Sequence, residues 1–294
     1  MINLNPMTQI NNMNPFVVLA FIIVAGLEIV LPLLLGRWAM KRFGLSWKPF
    51  FFGALFFVIV QIIHIPVVLL TQTPFSQWLL QTFTNQALII GIIALFLGLL
   101  AGLFEEPGRY LVFKKFFPSK KIKLTRENAL LFGLGWGGIE CIFIGLIMFM
   151  TMFTYIAAVP LTDVDIDTIN QTYGGILTDM DADALKAQYE SLMSLTPIDL
   201  LPSLFERIMT IILHVAFTLM VFTAIVQARK MWLYIAIAWH AAVDALAVFM
   251  ASMYGLVATE LMILLFALIA LWYSKRVFRD ISLISVLKGF FRKR

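Results

Sequence analysis

The apolar run ALIIGIIALFLGLLAGLF, residues 87–104, leads directly into the charged stretch Glu105-Glu106-Pro107-Gly108-Arg109. An uninterrupted apolar run of this length predicts a membrane-spanning helix. Ionisable side chains in such a helix are costly to bury in lipid, so they are a functional-site hypothesis by default. This one stretch therefore predicts both a membrane fold and the position of its polar site.

The rest of the chain has the composition of an integral membrane protein. Hydrophobic residues make up 61% of the 294 residues and charged residues 13%, and the mean hydropathy is +0.93. Soluble domains usually contain about a quarter charged residues. We therefore expect an all-α, polytopic helix bundle in the cell membrane. The single cysteine, Cys141, excludes an internal disulfide.

Seven stretches are long and apolar enough to be membrane spans: 16–35, 50–70, 87–104, 128–159, 203–227, 231–252 and 255–274. Residues 71–86 are uncharged and are expected to lie at the membrane interface. Residues 160–202 are rich in aspartate and are expected to form a solvated loop. The predicted organisation is a two-span segment (1–86), a four-span core with this acidic loop (87–252), and a last span with a basic tail (253–294).

Basic residues predict the orientation of the chain. Every Lys and Arg except Lys186 and Arg207 falls in residues 36–49, 105–127, 228–230 or 275–294. Cytoplasmic segments are enriched in Lys and Arg, so we expect the N-terminus outside and the C-terminus in the cytoplasm. The net charge of +5 then reflects topology and gives no reason to expect a nucleic-acid partner. The expected partner is membrane lipid.

The charged stretch after residue 104 has the spacing of a helical ion-pair cluster. Glu105 and Glu106 precede Arg109 by four and three residues, so either carboxylate can share a helix face with the guanidinium. Two carboxylates held this close raise the pKa of one of them, so that a glutamate can act as a general base or acid near neutral pH. The alternative is a structural ion pair at the end of the helix.

Four more polar residues fall within later predicted spans: Glu140, His214, His240 and Asp244. Counted from the nearest basic segment, each lies roughly 15–20 Å into the membrane. His240 and Asp244 are four residues apart, so the carboxylate can orient the imidazole. Each residue alone could be a packed or hydrogen-bonded core residue. Their common depth predicts one shared intramembrane site.

Two chemistries remain open for such a site. His214, His240 and Glu140 could hold Zn²⁺ with an open coordination position. Alternatively, a glutamate could activate water without a metal while the histidines stabilise an oxyanion. Both arrangements cleave amides. The HExxH signature of soluble zinc proteases is absent from the chain.

The ordered motifs resemble those of the YhfC family of intramembrane metalloproteases. They are Glu105-Glu106-x-x-Arg109, the glycine-rich stretch 133–140 that ends in Glu140, Glu206-Arg207 followed by His214, and His240-x-x-x-Asp244. The chain is more distantly similar to the PrsW proteases and to the CAAX-processing and bacteriocin-processing family. The resemblance extends from about Leu97 to Met250.

This resemblance implies an intramembrane endopeptidase that acts on a membrane protein or lipopeptide. It gives the water-activating role to Glu105 and Glu106, and the later histidines and Asp244 complete the site. Two positions depart from the related patterns. Arg109 stands one residue closer to the glutamates than in CAAX-type enzymes, and Trp136 stands where a histidine is expected. The alternatives are a non-catalytic membrane binding protein or a proton-coupled transporter.

Overall fold

The structure is a computed structural model that describes residues 13–159 and 179–291, with side chains described for all of these except 179–185 and 280–291. These ranges are helical and contain no strand. Seven of the helices are long and apolar enough to cross a membrane. The predicted class, an all-α polytopic membrane protein with seven spans, is therefore confirmed.

The helices are α1 (Pro15–Phe43), α2 (Lys48–Thr82), α3 (Gln86–Leu111), α4 (Arg126–Ala158), α5 (Asp179–Met193), α6 (Leu201–Val226), α7 (Met231–Tyr254) and α8 (Leu256–Phe291). A π-helical turn, Val112–Phe116, and a short helical turn, Phe117–Ser119, continue α3. A 3-10 turn, Pro197–Leu200, precedes α6. The candidate spans include every helix in this series except α5.

Helix α3 carries the charged stretch as regular helix. Its start is capped by the Asn85 side chain, which accepts a hydrogen bond of 3.0 Å from the backbone N–H of Leu88. Pro107 lies inside the helix, which continues to Leu111. The predicted span ended at Phe104, whereas the observed helix keeps both glutamates and Arg109 in one helical register.

Helix α2 is longer than predicted. The second span was expected to end at residue 70, but α2 runs on through Pro74 to Thr82. The Thr71 hydroxyl donates to the Val67 carbonyl at 2.6 Å, so this polar side chain is satisfied within the helix. The Phe75 ring packs against Phe96 of α3 with centroids 4.6 Å apart. Residues 71–82 therefore continue the helix of the second predicted span and do not form a separate segment. Their position at the membrane interface stays a prediction.

Part of the predicted acidic loop is also helical. Residues 179–193 form α5, and Thr196 and Asp199 form a capping box at the following 3-10 turn. Alanine, leucine, methionine, lysine, glutamine and glutamate are strong helix formers, and most residues of α5 are of these types. Residues 179–193 are therefore helix where a loop was predicted, and residues 160–178 lie outside the described residues.

One of two compact units comprises the described parts of Met1–Val30 and Ile142–Phe205. Its apolar core is formed by Val17, Phe21, Val24, Met152, Tyr155 and Leu200. The fully buried Glu28 accepts a hydrogen bond of 2.7 Å from the Ser203 hydroxyl. Gly145 allows close packing, because an added Cβ would lie 3.0 Å from the Ala25 carbonyl oxygen.

The other unit comprises Leu31–Cys141 and the described part of Glu206–Arg294. Its core contains a chain of aromatic contacts in which Phe113 packs on Phe132 at 4.9 Å and Phe132 on Trp136 at 5.6 Å. Glycines at 98 and 102 bring α3 against the backbone of α7. All of the predicted site residues belong to this unit.

Candidate functional site

The site is built around Arg109, whose side chain is completely buried. Its Nη1 donates to Glu106, and its Nη2 donates to Glu105 Oε2 at 3.0 Å. The guanidinium carbon also lies 4.4 Å from the centre of the Trp136 ring, which is a cation–π contact. The helical spacing predicted that either glutamate could reach Arg109, and in the structure both do.

Glu105 has its hydrogen-bonding capacity largely filled. Its Oε1 accepts from Gln61 Nε2 at 2.9 Å, and its Oε2 accepts from Trp136 Nε1 at 2.8 Å and from Arg109. Trp136, which stands where the resemblance leads one to expect histidine, is therefore a donor to this carboxylate. Glu105 is well placed to hold α2, α3 and α4 side chains together.

Glu106 is fully buried, and unlike Glu105 it has one carboxylate oxygen without a hydrogen bond from the described residues. Its Oε1 contacts both Arg109 and His240 Nδ1, the latter at 2.7 Å. Its Oε2 is buried and receives no hydrogen bond from the described residues. The Nε of Arg109 is likewise buried without a described acceptor. Two groups that contact each other, Glu106 and Arg109, thus offer an acceptor and a donor that are not paired within the described part of the protein.

His214 connects Arg109 to a second ion pair. Arg109 Nη2 lies 2.6 Å from His214 Nδ1, and His214 Nε2 lies 2.6 Å from Glu140 Oε2. Arginine can only donate, so Nδ1 is the acceptor and Nε2 carries the proton that goes to Glu140. Gly137 provides the space for this ring, because an added Cβ would lie 2.9 Å from His214 Cβ.

The second ion pair is formed by Arg207 of α6. Its Nη1 donates to Glu140 Oε1 at 2.7 Å, and its Nη2 donates to Glu206. Arg207 is one of two basic residues that do not fit the predicted cytoplasmic segments. Its contact with Glu140 explains how this cation is tolerated within a predicted span.

His240 has ring contacts with two neighbours and a carboxylate near each of its nitrogens. The ring stacks on Phe217 at 4.7 Å between centroids, and the His214 ring lies 5.7 Å away. Besides the contact of Nδ1 with Glu106, Nε2 lies 3.5 Å from Asp244 Oδ2. The Asp244 side chain is 40% exposed, whereas that of His240 is 3% exposed. Asp244 therefore lies beside the His240 ring, as expected from their spacing of four residues.

The structure thus places seven sequence-predicted residues in one connected network of contacts: Glu105, Glu106, Arg109, Glu140, His214, His240 and Asp244. Three further members, Gln61, His64 and Trp136, were not among the predicted site residues. Gln61 Oε1 contacts His64 Nδ1 at 3.0 Å. Polar residues three apart on an apolar span share a face, and this spacing was the available signal for the α2 pair.

The same contacts test whether these side chains fit a zinc ion. Zinc needs several ligand atoms with free lone pairs, all about 2.0–2.3 Å from one point. Both nitrogens of His214 are engaged, one of them by a guanidinium cation. Among the residues that the structure describes, no three His, Cys, Asp or Glu side chains are grouped to hold a metal. The predicted ligands His214, His240 and Glu140 therefore do not fit a zinc site as arranged.

Comparisons with known proteins agree with the motifs. A family model described as YhfC intramembrane metalloprotease matches residues 27–267. A protein of Bacillus subtilis (strain 168), described as uncharacterized membrane protein YhfC, is 34% identical over 143 residues. That alignment covers 47% of this chain and 52% of the relative, so the match spans about half of the relative's length. No solved structure matches the chain.

Proposed function

Because the chain belongs to the YhfC intramembrane metalloprotease family, we propose that it hydrolyses peptide bonds of membrane-embedded or lipid-modified substrates. It is a multi-pass membrane protein, and we place it in the cell membrane. The observation that carries the proposal is the hydrogen bonding of Glu106. Its Oε1 contacts Arg109 and His240, whereas its Oε2 is buried and has no hydrogen-bond partner among the described residues.

Glu106 is the proposed base. Its Oε2, which is not hydrogen-bonded to the described residues, takes a proton from water as the water oxygen attacks the substrate carbonyl carbon. When the C–N bond breaks, the same proton passes to the leaving amine nitrogen. Arg109 and His240 fix the orientation of the carboxylate through Oε1. Glu105 is less suited to this step, because its oxygens already accept from Gln61, Trp136 and Arg109.

Arg109 is the proposed stabiliser of the oxyanion. Attack on the carbonyl places negative charge on the carbonyl oxygen, and donors already directed at this charge lower the barrier most. The buried Nε–H of Arg109 has no acceptor among the described residues. His214 keeps the guanidinium in place through its contact with Nη2. No step is assigned to the metal that the family description implies, because the donor set does not fit one.

Variants of the two adjacent glutamates test the proposal. The purified protein in proteoliposomes is incubated with membrane-embedded peptides, and the products are identified by mass spectrometry. We expect Glu106→Gln to lower turnover by roughly 10²-fold to 10⁴-fold, the usual contribution of a general base. Glu190→Gln, at an exposed carboxylate of α5, is the matched control and keeps full activity. Full turnover of Glu106→Gln would exclude this residue as the base.

A further inference from the structure

A chain of two hydrogen bonds connects the site to a third histidine on α2. Glu105 Oε1 accepts from Gln61 Nε2 at 2.9 Å, and Gln61 Oε1 lies 3.0 Å from His64 Nδ1. The His64 ring is also stacked on Phe104 at 5.2 Å between centroids and 22° between planes. The position of this imidazole is therefore fixed by one polar contact and one ring contact.

The direction of the hydrogen bonds determines where the His64 proton lies. Glu105 accepts from Arg109 and Trp136, so it is the acceptor for Gln61 as well. The Gln61 amide nitrogen must then face Glu105, and its carbonyl oxygen must face His64. An amide oxygen can only accept, so His64 Nδ1 carries the hydrogen. In a neutral imidazole this leaves Nε2 with a free lone pair.

This free lone pair has no partner in the described part of the protein. His64 Nε2 is buried and makes no hydrogen bond there. The groups close enough to act on the ring electrostatically are Glu105, Asp244 and His240, which all belong to the site. A buried acceptor without a donor is unfavourable, and such a group in a native structure calls for a ligand or a functional role.

We propose that His64 is a third functional histidine of this site, with Nε2 accepting a hydrogen bond from a neutral donor. The donor is either the O–H of the attacking water or a main-chain N–H of the bound substrate. Gln61 and Glu105 are positioning residues that keep His64 in its accepting form. The inference rests on the proposed hydrolytic function for its kinetic consequence, but the protonation pattern of His64 does not depend on it.

Nitrogen-15 NMR of histidine-labelled protein in nanodiscs tests the protonation pattern. The chain has three histidines, so the His64 signals are assigned as those missing from His64→Asn. We expect a protonated Nδ1 and an unprotonated Nε2 in the wild type. Gln61→Leu removes the acceptor and should shift the proton toward Nε2. A wild-type ring protonated at Nε2, or no change in Gln61→Leu, would overturn the proposal.

Kinetics of His64→Asn test the role in hydrolysis. Asparagine keeps an amide donor close to the position of Nδ1 and can hold Gln61, but it has no atom in place of Nε2. We expect kcat/KM to fall roughly tenfold to hundredfold, the range for one lost hydrogen bond to a reacting or bound group. A fall in kcat identifies water as the donor, and a rise in KM identifies the substrate N–H.

The control for the kinetic experiment is Thr71→Ala, on the same helix, where the hydroxyl donates to the Val67 carbonyl of its own helix. This variant keeps wild-type kcat and KM. Wild-type kcat and KM for His64→Asn would overturn the proposal. If the wild-type protein itself hydrolyses no peptide, the proposed function fails, and the NMR experiment still decides the state of His64.

Discussion

Arg109 is the residue on which the site depends most. One buried guanidinium contacts Glu105, Glu106, His214 and the face of Trp136. Removing one partner of a buried ion pair leaves the other charge uncompensated, which typically costs about 3–5 kcal/mol. Arg109 therefore has a structural role in addition to the chemical role that we propose for it, and its variants are poor tests of chemistry alone.

The engagement of both His214 nitrogens leads to a prediction about metal. A ring bound to a guanidinium on one side and to Glu140 on the other has no lone pair free for zinc. We expect the purified protein to contain far less than one zinc per chain, measured by inductively coupled plasma mass spectrometry. We also expect exhaustive chelation to leave its thermal midpoint and its peptide hydrolysis unchanged. Stoichiometric zinc whose removal lowers both would contradict this arrangement.

The sequence predicted those contacts of the site that depend on helical spacing. Glu105, Glu106 and Arg109 are neighbours on one helix turn, and His240 faces Asp244 for the same reason. The contacts of Glu105 with Gln61 and Trp136 join residues 44 and 31 positions apart. Such contacts depend on how three helices are rotated against each other, and no local pattern in the sequence encodes that rotation.

At the level of helices, the site depends on the close approach of α3 and α7. A Cβ added at Gly98 would lie 2.8 Å from the backbone nitrogen of Ala245 and 3.0 Å from its Cβ. Glycine at this point lets the helix backbones meet, as small residues do in membrane proteins generally. The approach places Glu106 of α3 within reach of His240 on α7.

Gly98→Ala should therefore push α7 away from α3. We expect a destabilisation of about 1–3 kcal/mol, typical of overpacking, together with lower activity because His240 moves with α7. Gly91→Ala is the matched control on the same helix, since its nearest neighbour would be an ordinary 3.7 Å away on Phe249. Thermal unfolding in detergent measures both variants. Equal midpoints for the two would show that this contact does not limit the packing.

Helix ends were predicted less well than helix positions. The uncharged residues after position 70 were predicted to form a separate interfacial segment because that stretch is too short to cross a membrane. In α2 the polar side chains of Thr71 and Thr82 are satisfied within the helix, since their hydroxyls bond to carbonyls four residues earlier. Hydropathy alone does not register such hydrogen bonds and gave no indication that α2 continues to Thr82.

At the level of the whole molecule, the proposed site needs a defined orientation in the membrane. The basic segments predict that residues 105–127 are cytoplasmic and that residues 160–202 are outside. Reporter fusions at Lys121 and Asp181 should therefore report cytoplasm and exterior, respectively. The reverse pattern would contradict the predicted topology and the expected depth of the polar residues.

Isotope labelling of the cleavage product tests the proposed hydrolysis most directly. Wild-type protein in proteoliposomes is given a membrane-embedded peptide in ¹⁸O-labelled water, and the new C-terminus is analysed by mass spectrometry. We predict that the new carboxylate contains ¹⁸O with the wild type and that Glu106→Gln forms this product roughly 10²-fold to 10⁴-fold more slowly. An intact peptide with the wild type, or equal labelled product from both proteins, would contradict hydrolysis by this site.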